Sequence, residues 1–176
     1  MTDFRADFLA RFRWIGGHAD VLGLFGDGAF LAGAGQALAE PFAHAGVTKV
    51  AAVEARGFVL GTAVALAAGL GFVPIRKAGA VHPGPKATRR SEPDWRGNRP
   101  ELSVQRAALR APDRVLLVDD WAEQGSQALA ARALIEDCGA IYAGLSLLVD
   151  QLRDEVRERL APVAAVVSHT ELPPSA

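Results

Sequence analysis

Apolar runs rich in Val and Ala alternate along the chain with stretches whose apolar positions recur at helical spacing. Residues 47–53, 72–75, 114–118, 141–149 and 163–167 are nearly unbroken apolar runs. That is the pattern of strands buried on both faces. Residues 102–105 alternate instead, as a half-exposed strand does. Residues 28–45, 58–68, 126–137 and 153–160 carry helical patterns, with Asp27 placed as an N-cap and Gly46 and Gly139 as stops. Strands alternating with helices predict an α/β fold built on a mainly parallel sheet flanked by helices. Ligands of such sheets bind beyond the C-terminal ends of the strands, near a switch in strand order. The polar residues that follow the buried runs are therefore where chemistry is expected.

One stretch tests this picture. Residues 57–75 contain no charge and reach the length of a membrane span. They also contain four glycines and Pro74, and most of their apolar residues are Ala or Val. A small-residue helix, a turn at Gly69-Leu70-Gly71 and a buried strand fit better than a span. The whole chain, 176 residues with half of them hydrophobic, suits one domain over 1–176 and excludes disorder. A single cysteine, Cys138, excludes a disulfide framework and a cysteine metal cluster, and the four histidines share no metal-ligand spacing. Gly33-Ala34-Gly35 lacks the third glycine of a dinucleotide fingerprint and reads as packing. The N-terminus carries Asp3 and Asp7 in place of a basic-then-apolar leader, which predicts a cytoplasmic protein.

The formal net charge of −1 argues against nucleic acid as a partner, yet it conceals a polarity. Residues 76–110 hold 9 basic and 3 acidic side chains, and residues 111–176 hold 5 basic and 11 acidic. The basic segment is also rich in Pro and Gly, so residues 77–100 are expected to form a flexible loop that meets an anion.

The sharpest constellation is Arg114-Val115-Leu116-Leu117-Val118-Asp119-Asp120-Trp121-Ala122-Glu123-Gln124-Gly125-Ser126-Gln127. Four apolar residues deliver two adjacent carboxylates, and a short Gly-containing loop then opens a helix. Backbone N–H groups at such a turn form an anion nest. Carboxylates for hydroxyls beside amides for phosphate suit a sugar phosphate. The plainer reading is that one Asp caps the turn while the other is solvated.

This stretch resembles the signature of type I phosphoribosyltransferases, and within them the adenine phosphoribosyltransferase family, whose loop reads V-D-D-x-x-A-T-G-G-T. Glu54-Ala55-Arg56-Gly57-Phe58 is similar to that family's E-A-R-G-F segment. Phe72 to Lys77, Pro83-Gly84, Glu101 to Leu109 and Leu160-Ala161-Pro162 also fit, so residues 20–167 look alignable. The resemblance implies the type I phosphoribosyltransferase fold, with residues 1–25 as a small hood over the base, and a homodimer. It implies Mg²⁺-dependent transfer of phosphoribose from phosphoribosyl pyrophosphate to a purine-like nucleobase. Asp119 and Asp120 would hold the ribose hydroxyls and steady a cationic sugar. Residues 123–127 would hold the 5-phosphate, while Ala55, Arg56, Gly57, Arg76 and Lys77 would meet the pyrophosphate. No protein side chain is assigned as a metal ligand. Arg56 also has a plain reading as a surface ion-pair partner.

The departures carry information too. The family's A-T-G-G-T has become Glu123-Gln124-Gly125-Ser126-Gln127. Two hydroxyl donors are replaced by Gln amides, which still donate. Glu123 would repel a phosphate unless it points away. The related 6-oxopurine enzymes carry an acid at this position, so Glu123 reads either as a general base toward the incoming base or as an exposed acid at a helix N-terminus. Adenine-specific relatives have a Glu in the mobile loop, in a Y-x-x-E-Y-G pattern. Ungapped counting puts Arg96 there, with Glu92 and Asp94 near and Trp95 the loop's one aromatic, which implies a more oxygen-rich acceptor than adenine. Trp14 is a candidate to stack on a base beside its commoner role in packing. A second reading of the whole is a regulatory module that binds phosphoribosyl pyrophosphate or a nucleotide without catalysis. A third is a descendant that binds no phosphosugar.

Overall fold

The computed structural model describes residues 3–77, 79, 81, 83–93 and 97–174. Its centre is a seven-stranded sheet in the order β5-β6-β4-β3-β7-β8-β9. The strands are β3 (Lys49–Val53), β4 (Gly71–Lys77), β5 (Lys86–Arg90), β6 (Glu101–Gln105), β7 (Arg114–Ala122), β8 (Ile141–Asp150) and β9 (Val163–Ser168). Strands β4-β3-β7-β8-β9 run parallel, and β6 and β5 close one edge antiparallel. A small hairpin, β1 (Trp14–Ile15) with β2 (His18–Ala19), lies outside this sheet.

Both faces are covered, as continuous apolar strands require. Helices α1 (Phe4–Arg11), α2 (Gly28–Ala39) and α3 (Arg56–Ala68) supply one layer, where Phe8, Phe30, Leu38, Leu60 and Val64 bury against Val50, Leu116, Val118 and Leu148. Helix α4 (Ser126–Asp137) packs on the other face, with Leu134 and Ile135 against Val115, Leu117 and Leu145. Helix α5 (Asp154–Arg159) bridges β8 and β9. The α2–α3 contact is close because of the glycines: a Cβ on Gly35 would lie 2.6 Å from the Ala63 carbonyl oxygen. A Cβ on Gly33 would come within 2.9 Å of the Phe4 ring, so this pair serves packing.

Asp27 caps α2 as expected, accepting from the Ala29 and Phe30 N–H groups at 2.8 and 3.3 Å. Such a cap contributes about 1 kcal/mol. The helix ends earlier than its apolar pattern suggests, at Ala39, and a 3₁₀ turn over Glu40–Phe42 follows. Pro41 is the reason, since it has no N–H to continue the ladder. Two further differences bear on function. Strand β7 does not stop at Val118 but runs on through both aspartates to Ala122, held by β8 through the pairs Trp121 with Val149 and Ala122 with Asp150. Within the basic segment expected to be a loop, Lys86–Arg90 forms β5, a sheet-edge strand with Ala87 as its one buried side chain.

Candidate active site

The C-terminal ends of β3, β4 and β7 converge with the N-termini of α3 and α4 on one cleft of about 430 Å³. Its walls include Ala55, Arg56, Gly57 and Lys77 on one side and the continuous run from Asp119 to Ala128 on the other. Of the residues expected to meet the ribose, phosphate and pyrophosphate, Arg76 alone is absent from these walls. Its Nε instead donates to Glu54 Oε2 at 3.3 Å, and the Lys77 N–H donates to Glu54 Oε1 at 2.6 Å. Glu54 thus straps the end of β4 to β3, a role that the sequence marks only by an acid at the end of a buried strand.

The two carboxylates are set differently. Asp120 is buried with its side chain 4% exposed, and Arg56 Nε lies 2.8 Å from its Oδ2. The contact is an ion pair off the line of a hydrogen bond, so Oδ2 has no aligned donor. Asp119 is half-buried, and its Oδ1 accepts from the Asp120 N–H at 2.9 Å. Desolvation raises the Asp119 carboxyl well above the ordinary carboxylate range, and the neighbouring Asp120 charge raises it further. Desolvation also raises Asp120, against the opposing pull of Arg56. A site that holds two carboxylates in this state favours whatever brings hydroxyl donors or positive charge to them.

Gly57 allows the start of α3 to come this close. A Cβ there would lie 3.2 Å from Asp119 Oδ1 and 3.3 Å from the Ala52 Cβ. Across the cleft, the turn into α4 depends on Gly125, which has φ +66° and caps the helix without any side-chain hydrogen bond. The first N–H groups of α4 are therefore free of a side-chain cap, and their positive ends suit an anion. Glu123 is exposed at this turn, with Gln124 and Gln127 half-buried beside it.

Trp14 is not on the cleft wall. Its ring packs edge-on to Phe12 at 5.2 Å and to Trp121 at 6.0 Å, and its Nε1 donates to the Pro173 carbonyl at 2.7 Å. The aromatic of the cleft is Trp121, which the more conspicuous aspartates before it overshadow in the sequence. Asp94, Trp95, Arg96 and His82 lie outside the described residues, and Glu92 meets Arg99 at 3.5 Å on the surface.

A mainly parallel sheet whose central strand carries paired acids to a glycine turn and an uncapped helix start defines a type I phosphoribosyltransferase fold. Solved adenine phosphoribosyltransferases share it. The Rhodothermus marinus enzyme superposes with a TM-score of 0.82 at 28% identity, covering 96% of this chain and 99% of that one. The Giardia lamblia enzyme, complexed with 9-deazaadenine, gives a TM-score of 0.82 at 27% identity over 94% and 97%. In sequence, the adenine phosphoribosyltransferase of Streptomyces coelicolor is 43% identical over 83% of this chain and 79% of its own length. That of Maricaulis maris is 35% identical over 85% and 86%. No family model matches the chain. The chain belongs to the adenine phosphoribosyltransferase family.

Proposed function

We propose that this chain transfers 5-phosphoribose from phosphoribosyl pyrophosphate to a purine base, adenine first among them, releasing pyrophosphate and a nucleotide. The observation that carries this reading is the convergence on one cleft of the Asp119–Asp120 pair, Arg56 and the Gly125 turn. The names of the relatives and the ligand of the Giardia lamblia structure favour adenine over the more oxygen-rich acceptor that the departures of the basic loop imply.

A base nitrogen attacks C1 of the ribose as the bond to pyrophosphate breaks, and positive charge accumulates on the sugar. Catalysis of such a step is mainly electrostatic and positional. Asp119 and Asp120 accept hydrogen bonds from the ribose hydroxyls, which gives Asp120 Oδ2 the aligned donor that its ion pair with Arg56 does not supply, and their charge steadies the cationic sugar. The N–H groups at the start of α4, with Gln124, Ser126 and Gln127, hold the 5-phosphate. Arg56 and Lys77 draw the leaving pyrophosphate, and Glu54 fixes the strand end that presents Lys77. Arg76, held by Glu54, acts on that charge from behind the wall.

Among the described residues no three His, Cys, Asp or Glu side chains form a metal cage. Mg²⁺ in phosphate-transferring sites is typically held by one or two carboxylates together with substrate phosphates. The acidic pair fits that use, and Asp119 and Asp120 would be the residues to hold the ion together with the donor. A Mg²⁺ ion held there would supply positive charge to offset that of the departing pyrophosphate.

We propose a homodimer, supported by an exposed apolar groove of about 730 Å³ between α2 and α3 that includes Phe58 and Leu66, the latter 77% exposed. No helix among the described residues is long and apolar enough to cross a membrane. We place the reaction in the cytoplasm.

The test is chromatographic detection of nucleotide from phosphoribosyl pyrophosphate and Mg²⁺, with adenine, guanine, hypoxanthine, xanthine and pyrimidines offered separately and EDTA as control. Product with adenine that EDTA abolishes is expected. No product with any base, beside donor binding by calorimetry, would favour the regulatory reading. For Glu123, exposed at the phosphate turn, Glu123→Gln is expected to lower the KM for phosphoribosyl pyrophosphate while cutting kcat about a hundredfold, the loss of a general base. Both constants unchanged would make Glu123 a bystander.

A further inference from the structure

Among the residues that line the cleft, Trp121 is the one aromatic side chain, and it follows directly on the acidic pair. Its indole is not free to turn. The ring packs against the Phe12–Trp14 pair, at 6.5 and 6.0 Å, and Nε1 donates to Gln151 Oε1 at 2.8 Å. Gln151 stands just past the end of β8, off the cleft wall, with its own N–H donating to the Ala122 carbonyl at 2.9 Å. It is therefore braced against the same strand that carries Trp121. The only polar atom of the indole is thereby satisfied away from the cleft, which leaves an apolar aromatic surface for the cleft itself.

Resting on the function proposed above, we infer that Gln151 is a positioning residue. It fixes the Trp121 ring as the surface on which the acceptor base packs, and this fixed ring sets the preference for a two-ring purine over a one-ring pyrimidine. The chemistry is that of stacking: every nucleobase offers a π face, and a bicyclic base covers more of an indole than a monocyclic one does. The phosphate-binding and pyrophosphate-binding groups lie on the other cleft residues, so a base seated here leaves them undisturbed. Residues Phe12 and Trp14 come from the N-terminal segment, and through Trp121 they tie that segment to the base.

The experiment is steady-state kinetics of the full chain, varying adenine and phosphoribosyl pyrophosphate separately, with thermal melts alongside. Trp121→Leu keeps apolar volume and loses the indole face, and should raise the KM for adenine about tenfold or more while the KM for phosphoribosyl pyrophosphate stays within twofold. Gln151→Leu should raise the adenine KM alone, by about three- to tenfold, the loss of one hydrogen bond. Gln151→Glu keeps an acceptor for Nε1 and should restore it to near the wild-type value. A merely structural role would move both KM values and the melting temperature together, with no rescue by Glu. An adenine KM unmoved in Trp121→Leu, or both KM values moved alike in Gln151→Leu, overturns the inference while wild-type turnover leaves the functional reading standing. Absence of wild-type turnover with every base overturns the functional reading and this inference with it.

Discussion

Replacing Asp119 and Asp120 together by Asn is expected to cut kcat/KM by at least about a hundredfold while making the protein more stable to heat at pH 7. The loss follows from charge. Asn can accept a hydrogen bond from a ribose hydroxyl, but it cannot steady a cationic sugar or share a metal ion with the donor. The gain in stability follows from the same burial that makes the pair useful. Desolvation, and then the neighbouring Asp120 charge, hold the Asp119 carboxyl above the ordinary range, and desolvation raises Asp120 despite Arg56. An acid whose pKa is higher folded than unfolded stabilises the fold while protonated, below the unfolded value of about 3.9. That contribution is lost as pH rises through the folded value. Wild-type stability should therefore fall with rising pH across that window on account of this pair, and the Asn variant should show a flatter profile. Arg56 is nearly half exposed, so its loss of a partner costs little. Melting curves from pH 4 to 8 and a product assay decide the matter. A double variant that melts lower than wild type at pH 7, or that keeps its turnover, would refute the account of the pair as strained in the service of catalysis.

What the sequence disclosed was the part of the molecule that a short window contains. The unbroken apolar runs that became β3, β7 and β8 are visible because strands buried on both faces need no alternation. The adjacent aspartates and the Gly125 turn lie within a few residues of each other, so their local order already implies a common site. Features that depend on distant partners were not legible. Strand β7 continues past Val118 because β8 pairs with it, although two charged residues look like an ending. Strand β5 buries only Ala87 and is specified by its ladder with β6, so Lys-Ala-Thr-Arg-Arg reads as loop. Helix α1 likewise goes unnoticed, since Phe8 gains its meaning only against Phe30. Arg76 and Lys77 are neighbours in the chain but point to different tasks, one to Glu54 and one to the cleft. The Trp121–Gln151 bond joins residues 30 apart, and no spacing rule announces it.

The phosphate turn supplies the second large effect. Gly125→Ala is expected to lower stability by roughly 2–5 kcal/mol, the sum of about 1–2 for a left-handed backbone and about 1–3 for overpacking. The backbone at this position has φ +66°, where an L side chain is strained. A Cβ would also lie 2.6 Å from Val156 Cγ1 and 2.9 Å from Leu152 Cδ2, in the partly buried cluster that seats α5 against the sheet. Relief requires either that α5 move outward or that the turn rotate, and the turn is the less constrained of the two because no side-chain hydrogen bond caps the start of α4. Rotation there withdraws the first N–H groups of α4 from the cleft, so the KM for phosphoribosyl pyrophosphate should rise at least about tenfold while adenine, packed on Trp121, is little affected. Gly69→Ala is the matched control, since Gly69 has φ +68° but open space around its Cβ. It shares the backbone strain and lacks both the clash and the phosphate. Equal loss of stability in the two variants would remove the steric part of the explanation. An unchanged donor KM in Gly125→Ala would show that the 5-phosphate is held elsewhere than at this helix start.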